Sequence, residues 1–344
     1  MASHRRPKQP SRARVTVLTT AAAAAVAISA QAANAAPSAK PSKDEVKSKV
    51  DELYQQAEQA TEKYNGAKEK QEKLQKEIST IQDNVARGQQ DLNKLRDGLG
   101  SLAAGQYRTG GIDPSLQLFL SSDPDDYLDK ASTLDQLSGQ QVEALKKIQD
   151  KQRELAQERS EASAKLKDLA ATRTELGNKK KEVQGKLAEA QRLLNSLTAK
   201  EKAALAAEQQ RASRASTERV QMGNAAPASG RAGAAFSAAQ SKIGSPYVYG
   251  ATGPSSYDCS GLTSWAYAQA GVSIPRTSQA QANAGTRIYS QSQLQVGDLV
   301  IFYGDLHHVG LYAGNGQVLH APRTGTVVRY ESIGNMPFQF GVRI

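Results

Sequence analysis

Cys259 is the only cysteine of the 344-residue chain, and three of the four histidines, His307, His308 and His320, follow it in the last quarter. A thiol beside an imidazole is a minimal set for attack on a carbonyl carbon near neutral pH: the imidazole takes the proton and the thiolate becomes the nucleophile. Cys259 sits in Asp258-Cys259-Ser260-Gly261, after a turn-forming stretch from Thr252 to Tyr257. Leu262, Trp265, Ala266, Gln269 and Ala270 then recur at helical spacing until Gly271. Cys259 is therefore expected at a helix N-terminus, where unpaired N–H groups and the positive dipole end lower a thiol pKa. An inert buried thiol is the ordinary state of a free cysteine. Position and lack of a partner favour a reactive one.

The histidines lie on expected strands. Leu299-Val300-Ile301-Phe302 follows the turn Gln295 to Asp298, His307 to Tyr312 is a second run, and Gly314-Asn315-Gly316 turns the chain into Val318-Leu319-His320-Ala321. A three-residue loop at 314–316 sets Ala313 opposite Gln317 and Gly310 opposite His320, so that His308 and His320 share a face within side-chain reach. A two-residue loop puts them on opposite faces. His308 is assigned as the base and His320 as the group that orients its ring, with His307 pointing the other way as a rim or packing residue.

A zinc centre built from Cys259, His308 and His320, with or without His307, is the competing chemistry. Metal hydrolases usually add a carboxylate or a short His-x-His or His-x-x-x-His spacing, and the local sequence has neither. No metal or cofactor is expected.

The elements that carry these residues are unequal. Eight of twelve Tyr, three of five Phe and the only Trp lie after position 240, so a globular domain is expected over 234–344. Residues 1–35 carry Arg5, Arg6, Lys8, Arg12 and Arg14, then an apolar run from Val15 to about Ala30 and the small-x-small triplet Ala33-Asn34-Ala35, which reads as a cleaved export signal. A retained anchor is the alternative, although the run is shorter than the ~20 residues a bilayer needs. Five of the surplus positive charges lie in this segment, and no basic stripe with interleaved aromatics occurs, so nucleic acid is not an expected partner.

Residues 36–210 carry two heptad arrays. The first runs from Val46, Val50 and Leu53 to Leu102; the second runs from Leu145 and Ile148 to Leu197, with Gln152, Arg159, Arg173 and Lys180 at seam positions. Helix breakers at 105–129 surround Leu116, Leu118, Phe119 and Leu120, which reads as the tip of an antiparallel hairpin, a parallel dimeric rod being the alternative. The tip patch either docks a membrane or division-machinery partner or packs on itself. Residues 211–233, rich in Ala, Ser, Gly and Arg, read as a flexible linker.

Tyr247 to Gly250, Asp258 to Leu262, Pro275-Arg276-Thr277-Ser278-x-x-Gln281, Gly297-Asp298-Leu299, His308 to Tyr312 and His320-Ala321 together resemble the NlpC/P60 family of cell-wall cysteine peptidases. The resemblance covers about 235–344. It implies an α+β papain-like fold, in which a helix bearing Cys259 packs on an antiparallel sheet bearing His308 and His320. It further implies a secreted, cell-wall-associated enzyme hydrolysing peptidoglycan stem peptides, typically between γ-D-glutamate and the following diamino acid. By motif position Tyr247 lies near the nucleophile, and Asp258 and Ser260 flank the substrate groove. Gly310 departs from the family pattern, which often has a larger residue there, and that departure is expected to touch only groove shape. The Cys259 N–H is one expected oxyanion donor, with Tyr247 a candidate for the second. A non-catalytic wall-binding scaffold is the remaining class.

Overall fold

The computed structural model describes residues 41–221, apart from 109–115, 117–119 and 121–123, together with 227 and 229–344. The expected export signal and most of the expected hairpin tip lie outside the described residues. Among the described residues, no helix is long and apolar enough to cross a membrane.

Helix α1 (Lys43–Arg108) opens on a reciprocal cap: Ser42 N–H donates to Glu45 Oε2 at 2.7 Å, and Glu45 N–H to Ser42 Oγ at 3.2 Å. Helix α2 (Pro124–Ser196) runs back along it. Val46, Val50 and Leu53 cluster with Ala190 and Leu197, Leu74 and Ile78 with Leu169, and Leu92 with Ile148 and Leu155. Rising numbers on α1 meet falling numbers on α2, so the seam is closed within one chain as an antiparallel hairpin. At about 1.5 Å per residue the 66-residue α1 is roughly 100 Å long.

The α2 seam differs from the expected one. Ile148, Leu155, Leu169, Val183, Ala190 and Leu197 are buried as expected, but Gln152, Arg159, Leu166, Arg173 and Lys180 are exposed. The residues one position earlier, Lys151, Glu158, Lys165, Thr172 and Lys179, are covered instead. Lysine stems lie across apolar surface while their ammonium groups reach water or acids, as Lys165 does to Glu77 at 2.7 Å. The charged positions are thus turned outward rather than tolerated in the core.

Helix α3 (Ala199–Gln221) replaces the first half of the expected linker. Thr198 and Glu201 form a second reciprocal cap, and the Ala, Glu, Gln and Arg that follow are good helix formers. The helix is held in place by Lys47–Glu208 at 2.7 Å and by Asn315 Nδ2 donating to the Arg219 carbonyl at 2.8 Å.

In the C-terminal domain, helices α4 (Gly230–Gln240), α5 (Cys259–Gln269) and the single turn α6 (Ser278–Gln281) accompany a six-stranded antiparallel sheet. Its strands are β1 (Thr286–Ile288), β2 (Leu299–Phe302), β3 (His308–Gly314), β4 (Gln317–His320), β5 (Arg329–Ser332) and β6 (Phe338–Arg343), in the order β1-β6-β2-β3-β4-β5. Alternation divides the side chains. Leu299, Ile301, Val309, Leu311 and Leu319 pack with Ala235, Ala239, Leu262 and Ala266 of α4 and α5, while Val300, Phe302, Tyr312 and Val318 form a smaller cluster with Ile288 and Ile333. This is the expected α+β arrangement.

The turn between β3 and β4 reaches the expected register by a different route. Gly314 pairs with Gln317 around a two-residue loop, Asn315-Gly316, whose φ values of 52° and 67° suit a hairpin of this length. A bulge at Ala313 then shifts the pairing, so that Leu311 faces Leu319. The extra residue restores the parity that the short loop alone would have reversed, and His308 and His320 meet on one face. Gly310 lies beneath them: a Cβ there would stand 2.4 Å from Val318 Cγ2 and 2.9 Å from His320 Cβ. A larger residue at 310 would therefore displace His320, which is more than a change in groove shape.

Candidate active site

Cys259 is the first residue of α5, and Asp258 caps it by accepting from the Gly261 N–H at 2.7 Å. His308 starts β3 and His320 ends β4. The imidazole Nε2 of His308 lies 2.7 Å from Nδ1 of His320, whose own Nε2 is 3.3 Å from Glu331 Oε2. Arg329 Nη2 donates to the same Glu331 oxygen at 2.9 Å. Burial opposes ionisation of Glu331, but His320 and Arg329 more than reverse it and hold the carboxyl well below its usual range. An ionised Glu331 makes His320 Nε2 a donor, which leaves His320 Nδ1 as the acceptor and puts a proton on His308 Nε2. The relay thus fixes both tautomers and points His308 Nδ1 towards the nucleophile side.

That nitrogen is taken. Glu58 of α1 hydrogen-bonds His308 Nδ1, and a carboxylate oxygen of Glu58, a ring nitrogen of His308 and Cys259 Sγ all lie within 4.8 Å of one another. One helical turn on, Glu62 Oε1 is 3.6 Å from Cys259 Sγ and accepts from Ser260 Oγ at 2.7 Å. Its Oε2 accepts from the Ser278 N–H at 2.7 Å and from Ser278 Oγ at 3.1 Å. Another turn along, Asn65 Nδ2 donates to Asp258 Oδ2 at 3.0 Å. Glu58, Glu62 and Asn65 recur at helical spacing, so α1 buries two faces here: the apolar seam on α2 and this polar stripe on the C-terminal domain. Asp51 pairs with Arg323, whose guanidinium lies 4.7 Å from the Tyr54 ring, and Tyr64 meets Tyr249 edge-on at 5.9 Å.

The electrostatics reverse one expectation. Burial, then the charges of Glu62, Glu58 and Asp258, push the Cys259 thiol well above its ordinary pKa, outweighing the helix N-terminus. Burial together with the Asp258 charge raises Glu62 to about 7. Burial depresses the His308 pKa, but the charge and hydrogen bond of Glu58 outweigh that and leave it raised, whereas burial lowers His320. With α1 seated, the thiol is neutral and His308 is paired with a carboxylate rather than with sulfur.

Of the other residues expected at the site, Ser260 is fully buried, donating to Glu62 and accepting from Arg276 Nη1 at 2.7 Å. Asp258 is also fully buried; besides capping α5 it accepts from the Gly250 N–H at 2.9 Å and pairs with Arg276. With α1 seated, it holds the helix and Arg276 and is covered by Asn65. Tyr247 is buried and lines a small cavity with Glu58, Thr61 and Arg323. His307 is buried as well, stacked on Tyr303 at 4.2 Å and bonded to Asp305, while its carbonyl lies 3.8 Å from Cys259 Sγ. Sequence reasoning missed Glu58, Glu62, Asn65 and Glu331 and gave Arg276 and Ser278 no role. The one signal for the first three is an i, i+4, i+7 polar face beside the small seam residues Ala57, Ala60 and Ala67.

Residues 244–341 match the NlpC/P60 family. A probable endopeptidase of Corynebacterium glutamicum is 56% identical over 119 residues, 35% of this chain and 56% of that protein. The probable endopeptidase p60 of Listeria monocytogenes is 50% identical over 97 residues, 28% of this chain and 19% of that one. The matches thus span about half or less of these relatives. Among solved structures, the NlpC/p60 domain of the peptidoglycan hydrolase SagA is 36% identical, covering 33% of this chain and 98% of that one with a TM-score of 0.31. The peptidoglycan hydrolase RipB from Mycobacterium tuberculosis is 33% identical, covering 33% and 64%, with a TM-score of 0.30. The C-terminal domain of this chain, carrying Cys259, His308 and His320, belongs to the NlpC/P60 family of cysteine peptidases that act on peptidoglycan.

Proposed function

We propose that the protein is a secreted, cell-wall-associated peptidoglycan endopeptidase that cleaves stem peptides between γ-D-glutamate and the following diamino acid, and that its helical hairpin keeps it latent. The observation that carries this reading is the Cys259, His308 and His320 array with Glu58 seated on His308 Nδ1 and Glu62 beside Cys259 Sγ. In the working enzyme, with α1 withdrawn, His308 Nδ1 takes the Cys259 proton and the thiolate attacks the amide carbonyl. The Cys259 N–H at the start of α5 receives the oxyanion, with the Tyr247 hydroxyl as a candidate second donor. His308 returns its proton to the leaving amine, and water then cleaves the thioester. His320, anchored by Glu331, keeps the His308 ring in the tautomer this sequence of transfers needs.

Latency follows from occupancy. Glu58 holds the nitrogen that must receive the thiol proton, and Glu62 fills the donors of Ser260 and Ser278, so that polar groups of a substrate cannot reach them. A partner that engages the tip around Leu116 to Leu120 would favour the withdrawn state and relieve the block. Leu116 and Leu120 are exposed; Leu118 and Phe119 lie outside the described residues.

The test is digestion of purified wall by the chain lacking residues 1–35, as wild type, as Glu58→Ala/Glu62→Ala and as Cys259→Ala, with mass analysis of released muropeptides. Fragments ending in γ-D-glutamate, released fastest by the double variant and not at all by Cys259→Ala, are expected. Equal rates from wild type and double variant would remove latency alone. No release from either would remove the endopeptidase reading.

A further inference from the structure

Glu58, Cys259 and His308 bring a carboxylate oxygen, a thiol sulfur and an imidazole nitrogen within 4.8 Å of one another, with all three residues buried. We propose that the seated hairpin and the C-terminal domain together form a zinc-binding site from Cys259 Sγ, His308 Nδ1 and a Glu58 carboxylate oxygen, and that the ion bolts α1 over the nucleophile. The proposal rests on the seated arrangement described above and adds a ligand to it.

The donor set is one that zinc takes: sulfur, nitrogen and oxygen at bond lengths of about 2.0–2.3 Å place tetrahedral ligands roughly 3.3–3.8 Å apart, a small rearrangement from the observed cluster. Thiolate and imidazole donors disfavour magnesium and calcium. Three protein ligands leave the fourth position to water.

The surroundings support the same assignment. A metal-bound histidine ordinarily donates its other ring N–H to an acceptor that fixes the tautomer. Here His308 Nε2 donates to His320 Nδ1 at 2.7 Å, and His320 passes the orientation on to Glu331. The tautomer dictated by that chain leaves the Nδ1 lone pair facing Glu58 and the sulfur. Charge also balances. The ion replaces the thiol proton and the proton shared by His308 and Glu58, so two positive charges enter as about two protons leave for solvent. Glu62 stays on Ser260 and Ser278 and needs no part in coordination. The hairpin-supplied carboxylate is what separates this site from simple capture of a metal by a Cys–His pair.

Cobalt(II) reports the site without any measurement of hydrolysis. The reduced, metal-free full chain is titrated with cobalt(II) and then back-titrated with zinc. Expected are near-ultraviolet thiolate-to-cobalt charge transfer and the visible bands of a tetrahedral ion, both abolished by stoichiometric zinc. Cys259→Ser should lose the charge-transfer band. Glu58→Gln should weaken binding roughly tenfold or more, the scale of losing an outer-shell partner or worse. Glu62→Gln, which loosens the seat without removing a ligand, should weaken it less. No charge-transfer band in the wild type, or equal affinity in wild type and Glu58→Gln, overturns the proposal. The alkylation rate of metal-free wild-type Cys259 separates the two readings. If it matches that of Glu58→Ala/Glu62→Ala, the seat itself is absent; if it is far slower and no cobalt band forms, only the metal site fails.

Discussion

The root and the far half of the α1–α2 hairpin are built from one repeat and do different things. Beyond about residue 70, α1 buries a single face, with Leu74, Ile78, Ile81 and Leu92 against α2, and its remaining surface is charged and exposed. Between 46 and 67 it buries two. The seam continues through Val46, Val50, Leu53 and the small Ala57, Ala60 and Ala67, while Glu58, Thr61, Glu62 and Asn65 are buried on the other side. Small seam residues bring α2 close, and acids on the opposite face are desolvated against Cys259, Ser260, Ser278 and His308. A buried acid costs free energy unless paired, so the root is held by specific partners where the far half is held by area.

Removing those partners is the largest way to break the comparison. Loss of one member of a buried ion pair costs about 3–5 kcal/mol, on the order of 10²–10⁴ in an equilibrium. Glu58→Ala/Glu62→Ala is expected to speed Cys259 alkylation and wall hydrolysis by at least tenfold. Glu77→Ala, which removes the acid of a far-half pair with Lys165, is expected to leave both rates unchanged, because exposed pairs contribute about 0–1 kcal/mol. Equal effects of the two changes would mean that the seat is no different from the rest of the seam.

Within the unlatched double variant, the relay can be tested next. His320→Asn can still offer an oxygen to His308 Nε2, whereas His320→Ala leaves that N–H buried without a partner. Both should lose activity. The alanine variant should lose more, by roughly tenfold within the 10²–10⁴ that general acid–base groups supply, with the difference in kcat rather than KM. Equal losses would indicate that His320 only fills space.

The same contrast explains what could be read from the chain. Cys259, His308 and His320 were legible because each is announced by its own neighbours: a capped helix start, a strand and a hairpin turn. The β3–β4 register was predicted through a three-residue loop, and the structure attains it through a two-residue loop and the Ala313 bulge; side-chain alternation constrained the outcome more than turn type did. Glu58 and Glu62 were not legible because their partners lie about 200 residues or more away in sequence, and on a helical wheel they look like ordinary solvated charges. The second half of helix α3, residues 211–221, reads as linker because it is rich in Ala, Ser and Arg and lacks an apolar seam, although it continues a helix whose start the Thr198–Glu201 cap marks. The raised Cys259 pKa is likewise a property of the seated hairpin, which the helix N-terminus alone could not reveal.

A pH profile sharpens the comparison with a smaller effect. Glu62 titrates near 7 when seated against an ordinary 4.5, and His308 is raised by Glu58, so the seated state holds more protons than the withdrawn one. Groups with raised pKa values favour the seated state at low pH, and that preference is lost as pH rises towards and through the seated values. The raised Cys259 pKa acts in the same direction. The alkylation rate of wild type relative to Glu58→Ala/Glu62→Ala, a ratio that cancels ordinary thiol ionisation, is expected to climb severalfold from about pH 5 to about pH 8. A flat or falling ratio would mean that these carboxylates are not what holds the seat.

The smallest effect separates two glycines in the interior of α1. Replacing a helix-interior glycine by alanine gains about 1 kcal/mol from backbone entropy and propensity where there is room. At Gly66, in the root, a Cβ would sit 3.8 Å from Thr277 Cγ2, an ordinary contact that adds packing to the seated interface. At Gly88, in the far half, it would sit 2.7 Å from Leu155 Cδ2 and 3.2 Å from Lys151 Cε, in the seam. The lysine end can move, but Leu155 is buried beside Leu92 and Ile148, and overpacking a seam costs about 1–3 kcal/mol. Gly66→Ala is therefore expected to stabilise the chain by about 0.5–1 kcal/mol, a rise of roughly 1–3 °C in midpoint, and to slow Cys259 alkylation slightly. Gly88→Ala should be neutral to destabilising with no change in alkylation. Thermal unfolding and alkylation of both variants check this together. If Gly88→Ala altered the thiol as Gly66→Ala does, the two halves of the hairpin would be coupled as one rigid lever, and the division between root and arm would be wrong.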